Sequence, residues 1–253
     1  MKIASSSASF SRAFEDGLTQ LEWLDLCASE LELDGIVFDS RHFPRRDADY
    51  LSQLKKTATD LGLTVAGLAA PDAFEDGVSR LDDALALGAP LVIVEALGIR
   101  EDPAAWARCA AALGSFASAA KSRNVTLALR NAPSSLCASV LDSKRMLKDV
   151  DSSWLRVALD AAALGALERS DDLIAKTVIA THAVSDTTTF ATLNDVEARR
   201  LLDALRGFRG FVCIDRCDES GARAALHDAI ARFQTLAAAC KADGDRAAVF
   251  QPR

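Results

Sequence analysis

Carboxylates, guanidinium groups and imidazoles recur just behind short apolar runs in this sequence. Asp39 is followed by Arg41 and His42. Glu95 closes one run, Arg130 and Asn131 another, and Asp160 a third. His182 stands in a run with Asp186 just beyond, and Asp215 with Arg216 ends the last. Asp215, Glu95 and Asp160 are the candidates for acid–base work, because a carboxylate can accept a proton and return it. Arg130, Asn131, Asp39, Arg41, His42, His182, Asp186 and Arg216 are the candidates for holding a small polar or anionic ligand. A guanidinium stays charged and offers a planar fork of donors. The competing reading is that these acids and bases simply neutralise one another at a surface. No Ser–His–Asp or Cys–His pattern for a nucleophile is legible. Cys213 and Cys217 lie close together, but without a nearby histidine they make a weak metal pair.

The elements that must position these residues are legible in outline. Eight apolar runs read as strands: Lys2–Ser5, Gly35–Asp39, Thr64–Ala69, Pro90–Ala96, Thr126–Asn131, Leu155–Asp160, Val178–Ala183 and Phe211–Asp215. Several are apolar on consecutive positions, as parallel strands buried on both faces are. Helical patterns fill the gaps. Asp102-Pro103 offers an N-cap with proline at the first helical position, and Asn194 with Glu197 resembles a capping box. Gly62 and Gly88 suit left-handed helix ends. Leu226, Ile230, Phe233 and Ala237 form one packing stripe on the last helix.

Eight βα units in 253 residues, about 32 residues each, predict an α/β chain folded as a single (β/α)8 TIM barrel over residues 1–253. A doubly wound open sheet is the runner-up, but no GxGxxG follows the first strand. In a barrel the strand C-termini converge on one mouth, which gathers the polar residues above.

Composition narrows the partners. The net charge is −7, with lysines and arginines spread along the chain, which argues against nucleic acid. Arg41, Arg45 and Arg46 form a small local basic cluster. The six cysteines contain no CxxC pair and read as buried free thiols in a reducing compartment. No signal peptide and no membrane span is expected, so the expected location is cytoplasmic.

The stretch from Asp34-Gly35-Ile36-Val37-Phe38-Asp39 through Asp60-Leu61-Gly62-Leu63, and the spacing that follows, resembles the xylose-isomerase-like barrels. That group includes sugar-phosphate isomerases and epimerases, ketose 3-epimerases, hydroxypyruvate isomerases and metal-dependent endonucleases of abasic DNA. The resemblance implies a divalent metal held by a Glu ending strand 5, an Asp ending strand 6, a His on strand 7 and a Glu ending strand 8. It also implies that the two Glu residues move a proton beside a carbonyl. Many such barrels are dimers or tetramers, so a homo-oligomer is a further implication.

Against that pattern, strand 5 ends in Arg130, which can neither coordinate a metal nor act as a base. Asp160 matches, and Asp215 is one methylene short. His182 points inward only if a bulge shifts its strand, since neighbouring residues face opposite sides. Three carboxylates with a divalent ion carry the same formal charge as one guanidinium with two carboxylates. The expectation is therefore a site without the metal, with Arg130 bridging Asp160 and Asp215. The ligand expected is a small molecule, a sugar or its phosphate, on which the barrel works as an isomerase or epimerase. One alternative is a non-catalytic barrel that binds a ligand or partner. Another is a metal site holding Mn, Zn or Mg, rebuilt from His182, Asp160, Asp215 and Glu95 or Asp186. With only three histidines, a multi-metal endonuclease is disfavoured.

Overall fold

The computed structural model describes residues 1–71, 76–132, 135–161, 175–184, 191–216 and 222–249. Eight strands, β1 (Lys2–Ser6), β2 (Gly35–Asp39), β3 (Thr64–Ala69), β4 (Leu91–Glu95), β5 (Thr126–Arg130), β6 (Leu155–Asp160), β7 (Thr177–Val184) and β8 (Phe211–Arg216), all pair in parallel. The sheet closes on itself in chain order, β8 returning to β1 through Ile3 and Val212. Every expected strand is present to within a residue or two.

Closure splits the apolar residues into two bodies. Val37, Ala66, Leu91, Ile93, Ala128, Ala158, Ile179 and Cys213 fill the inside of the barrel. The larger body lies between sheet and helices, and includes Leu68, Val94, Leu129, Leu159 and Ile214 from the strands. The inner residues fix the phase of each strand, because side chains alternate along it. Two steps beyond an inner residue therefore lies the next inward position. That rule brings Asp39, Glu95, Arg130, Asp160 and Asp215 onto the lumen side at the strand C-termini.

The described helices form the outer layer: α1 (Ser11–Glu15), α2 (Gln20–Ser29), α3 (Ala48–Asp60), α4 (Gly77–Leu87), α5 (Ala105–Ser122), α6 (Val140–Val150), α7 (Ala191–Ala204) and α8 (Ala222–Val249). Leu226, Ile230 and Phe233 of α8 are buried, as their spacing predicts. Gly62 and Gly88 have φ of 77° and 70°, the left-handed ends expected of α3 and α4. Two helix starts differ from expectation. α5 opens at Ala105 rather than Pro103, because Asp102 caps a preceding turn by accepting the Ala104 amide at 2.9 Å. α7 opens at Ala191, so Asn194 and Glu197 lie inside it rather than at its cap. No described helix is long and apolar enough to cross a membrane. Cys27, Cys109, Cys137 and Cys213 are buried free thiols.

Candidate functional site

The inward ring at the mouth is organised around Arg130. Its Nη2 donates to Asp160 Oδ2 at 2.9 Å and its Nε to the same oxygen at 3.3 Å. Its Nη1 lies 3.8 Å from Glu95 Oε1, an ion pair too long to be a hydrogen bond. Burial works to lower the Arg130 pKa, but the charge and hydrogen bond of Asp160, then Asp215 and Glu95, outweigh it and hold the pKa above its ordinary value. The guanidinium therefore bridges Asp160 and Glu95. It acts on Asp215 through charge alone, not through the bond expected from the sequence.

Asp215 is fastened on its other side. Its Oδ1 accepts the Ser6 amide at 2.9 Å, the Ser9 hydroxyl at 3.1 Å and the Cys213 thiol at 3.4 Å. Oδ2 carries no hydrogen bond among the described residues. Burial raises the Asp215 pKa, against the opposing pull of the Ser6 amide, Arg130, Cys213 and Ser9. Burial and the Asp215 charge in turn push the Cys213 thiol well up, so it stays protonated and donates. Sequence reading missed Ser6 and Ser9. The serine-rich stretch behind β1 was the available signal.

Asp39 is committed differently. Its Oδ1 accepts the Arg41 amide at 3.0 Å and Arg41 Nε at 2.9 Å, and its Oδ2 accepts Arg41 Nη2 at 2.6 Å. The Asp39 amide donates to Ser7 Oγ at 2.7 Å, and that hydroxyl also lies 3.3 Å from His42 Nδ1. His42 Nε2 meets Ser11 Oγ at 3.1 Å, and the ring stacks on Phe14 at 5.1 Å. Burial lowers the His42 pKa, only partly offset by Asp39. His42 and Arg41 also line a cleft of about 880 Å³ beside the mouth, between the loops that follow β1 and β2. The rest of the basic cluster is paired too, Arg45 with Asp47 at 3.2 Å and Arg46 with Asp83 at 2.6 Å.

Asn131 is fully buried and ties two strands together, its Oδ1 accepting the Asp160 amide at 2.8 Å. Its Nδ2 is buried without a partner among the described residues. On β7 the register does shift, but between Val157 and Ala158 of its neighbour, below Ile179. Above that shift Ile179 faces the lumen and Ala180 the helices. Thr181 and Ala183 are thus the inward residues, and His182 turns to the helix layer, 6.0 Å from the Phe233 ring of α8. Burial lowers the His182 pKa against Asp160 and Asp195, and its Nδ1 has no partner among the described residues. Glu197 of α7, which the sequence placed in a cap, is the further acid close enough for Asp160 to raise its pKa, after burial. Asp186 and the Arg216 side chain lie outside the described residues.

The four-ligand metal set implied by the resemblance does not fit these residues. A guanidinium ends β5, the β7 imidazole faces away from the mouth, and one oxygen of Asp160 is bonded to Arg130. Among the described residues no group of three or more His, Cys, Asp and Glu side chains stands where it could hold a metal ion.

Comparison with known proteins agrees with the fold. No curated protein matches the chain. A D-psicose 3-epimerase from Clostridium cellulolyticum H10, solved with D-tagatose, superposes with a TM-score of 0.73 at 15% identity, over 94% of this chain and 99% of that one. An L-ribulose 3-epimerase gives 0.73 at 16%, over 100% and 99%. A 3-keto-D-glucoside 4-epimerase from E. coli gives 0.72 at 14%, over 93% and 99%. At such identity the likeness is one of fold. The sequence profile of the xylose isomerase-like TIM barrels matches residues 27–236, and the chain belongs to that family.

Proposed function

We propose that this barrel is an isomerase or epimerase of a small sugar or hydroxy-carbonyl compound, working with Arg130 in place of the divalent metal of related barrels. The observation that carries the reading is the Arg130 guanidinium, inward on β5 and hydrogen-bonded to Asp160. A guanidinium can polarise a carbonyl or hydroxyl oxygen by donating to it. The loose 3.8 Å approach of Nη1 to Glu95 leaves a donor that a substrate oxygen can take.

Asp215 is the proton-transfer group in this reading. Asp39 has both oxygens on Arg41 and Asp160 is bonded to Arg130, whereas among the described residues Asp215 keeps one oxygen uncommitted while three neutral donors fix the other. Asp160 and Glu95 orient the guanidinium and Asn131 holds Asp160 in place. The ligand is a sugar or its phosphate and the location cytoplasmic. The sugar-acting neighbours are consistent with such a ligand, and so is a mouth ringed with hydrogen-bonding groups.

The test is exchange of the carbon-bound proton beside the carbonyl in deuterated water, followed by NMR over a panel of ketoses, ketose phosphates and hydroxypyruvate, with chelator and with added Mn. Exchange that persists in chelator and falls about 100-fold or more in Asp215→Asn supports the reading. Exchange that needs Mn would return the metal mechanism. Thermal-shift binding without any exchange would favour a non-catalytic ligand-binding barrel.

A further inference from the structure

Among the described side chains, four carboxylates face the mouth from the strand ends, Asp39, Glu95, Asp160 and Asp215, with two guanidinium groups, Arg41 and Arg130, bound to them. Within this described set the count stays negative whether or not Asp215 holds its proton. Each of these two cations is already held by acids. Arg41 is clamped on Asp39, and Arg130 lies between Asp160 and Glu95. The chain as a whole carries −7, so the long-range field repels anions as well.

We propose that Glu95 is a specificity-determining residue that keeps Arg130 from serving as an anion anchor, so that the mouth accepts uncharged polyhydroxy carbonyl compounds and rejects their phosphate esters. The inference rests on the mouth being the ligand site, as proposed above, and narrows the ligand to one charge class. The geometry separates the two kinds of ligand. A neutral oxygen needs one N–H, and Nη1 offers it without displacing Asp160. A phosphate needs the open face of a guanidinium fork, and here one edge is bonded to Asp160 and the other faces a carboxylate. Glu95 is the weaker of the two guards, since it holds no hydrogen bond to Arg130. Removing its charge without changing its shape should therefore open that edge.

The experiment is calorimetric titration at low ionic strength with inorganic phosphate, D-fructose and D-fructose 6-phosphate, on the wild type, Glu95→Gln, Glu95→Ala and the Glu95→Gln/Arg130→Met pair. The expected result is no phosphate binding by the wild type and at least a tenfold gain in phosphate affinity in both single variants. The gain should vanish when Arg130 is also replaced and weaken with added salt. Tighter binding of the ester than of the parent sugar by the wild type would overturn the inference, and so would single variants that gain nothing. If no sugar binds the wild type but the phosphate gain appears and depends on Arg130, the charge guard stands and the sugar reading falls.

Discussion

Asp215 and Asp39 occupy equivalent inward positions on their strands, yet different neighbours give them different chemistry. Asp39 is clamped by a guanidinium, whereas the described hydrogen bonds to Asp215 come from an amide, a hydroxyl and a thiol. Burial then decides, and the Asp215 pKa rises. A folded pKa above the unfolded one means that the folded state holds the proton more tightly. The stability from this group is thus fullest at acid pH, below the ordinary carboxylate value near 4, and is lost as pH rises through the raised folded value. Asp215→Asn removes that dependence while keeping an oxygen for the three donors. Its Tm relative to the wild type should climb between pH 4 and pH 8 in scanning calorimetry. Parallel curves would mean that Asp215 titrates like an exposed acid. As a base it must be ionised, so the acid limb of the exchange rate should also lie above the ordinary carboxylate range.

One strand shows how an element can redirect a residue. The extra residue near the start of β7 sets its phase before Ile179, and every later side chain follows. His182 is sent to the helices, where it fills space against Phe233 with Nδ1 unpaired among the described residues. Its volume should therefore matter more than its polarity. His182→Ala should lose about 2–4 kcal/mol to the cavity it leaves, whereas His182→Phe should keep the wild-type stability or exceed it, because a buried unsatisfied nitrogen disappears. Urea unfolding at pH 8 separates the two, and equal losses would show that the imidazole has a polar task instead. The same strand marks the limit of what the sequence makes legible. The strands themselves are plain, since each is an apolar run between helical patterns. Asp39, Glu95, Arg130, Asp160 and Asp215 are plain too, because each ends such a run. The phase of β7 is not, because a bulge leaves no signature in a run of Val, Ile and Ala. The Ser6 contact with Asp215 joins residues 209 positions apart, and only closure of β8 on β1 creates it. Asp102 misleads for a local reason, in that an aspartate caps a turn as readily as a helix.

Closure of the whole barrel depends on the end opposite the mouth. Phe211 opens β8 with its ring packed against the inner core, and Lys2 of β1 lies over that ring at 5.4 Å. Gly35, at the start of β2, makes the space. A Cβ there would come within 2.6 Å of the Phe211 ring and 2.6 Å of the Thr64 carbonyl oxygen. The ring could tilt, but the carbonyl belongs to the β2–β3 pairing and cannot retreat without breaking it. Gly35→Ala should therefore cost about 1–3 kcal/mol, the usual range for overpacking. Each strand is hydrogen-bonded on both sides, so the strain has no free edge at which to relax. The urea midpoint should fall with the slope unchanged, the mark of a uniformly destabilised but intact cooperative unit. Trimming the ring in the double variant Gly35→Ala/Phe211→Leu should recover only the part of the loss that the ring imposes, leaving the share due to the Thr64 carbonyl. Full recovery would place the whole clash on the side chain. No recovery would place it on the backbone, and a second transition in either variant would show that the barrel does not unfold as one body.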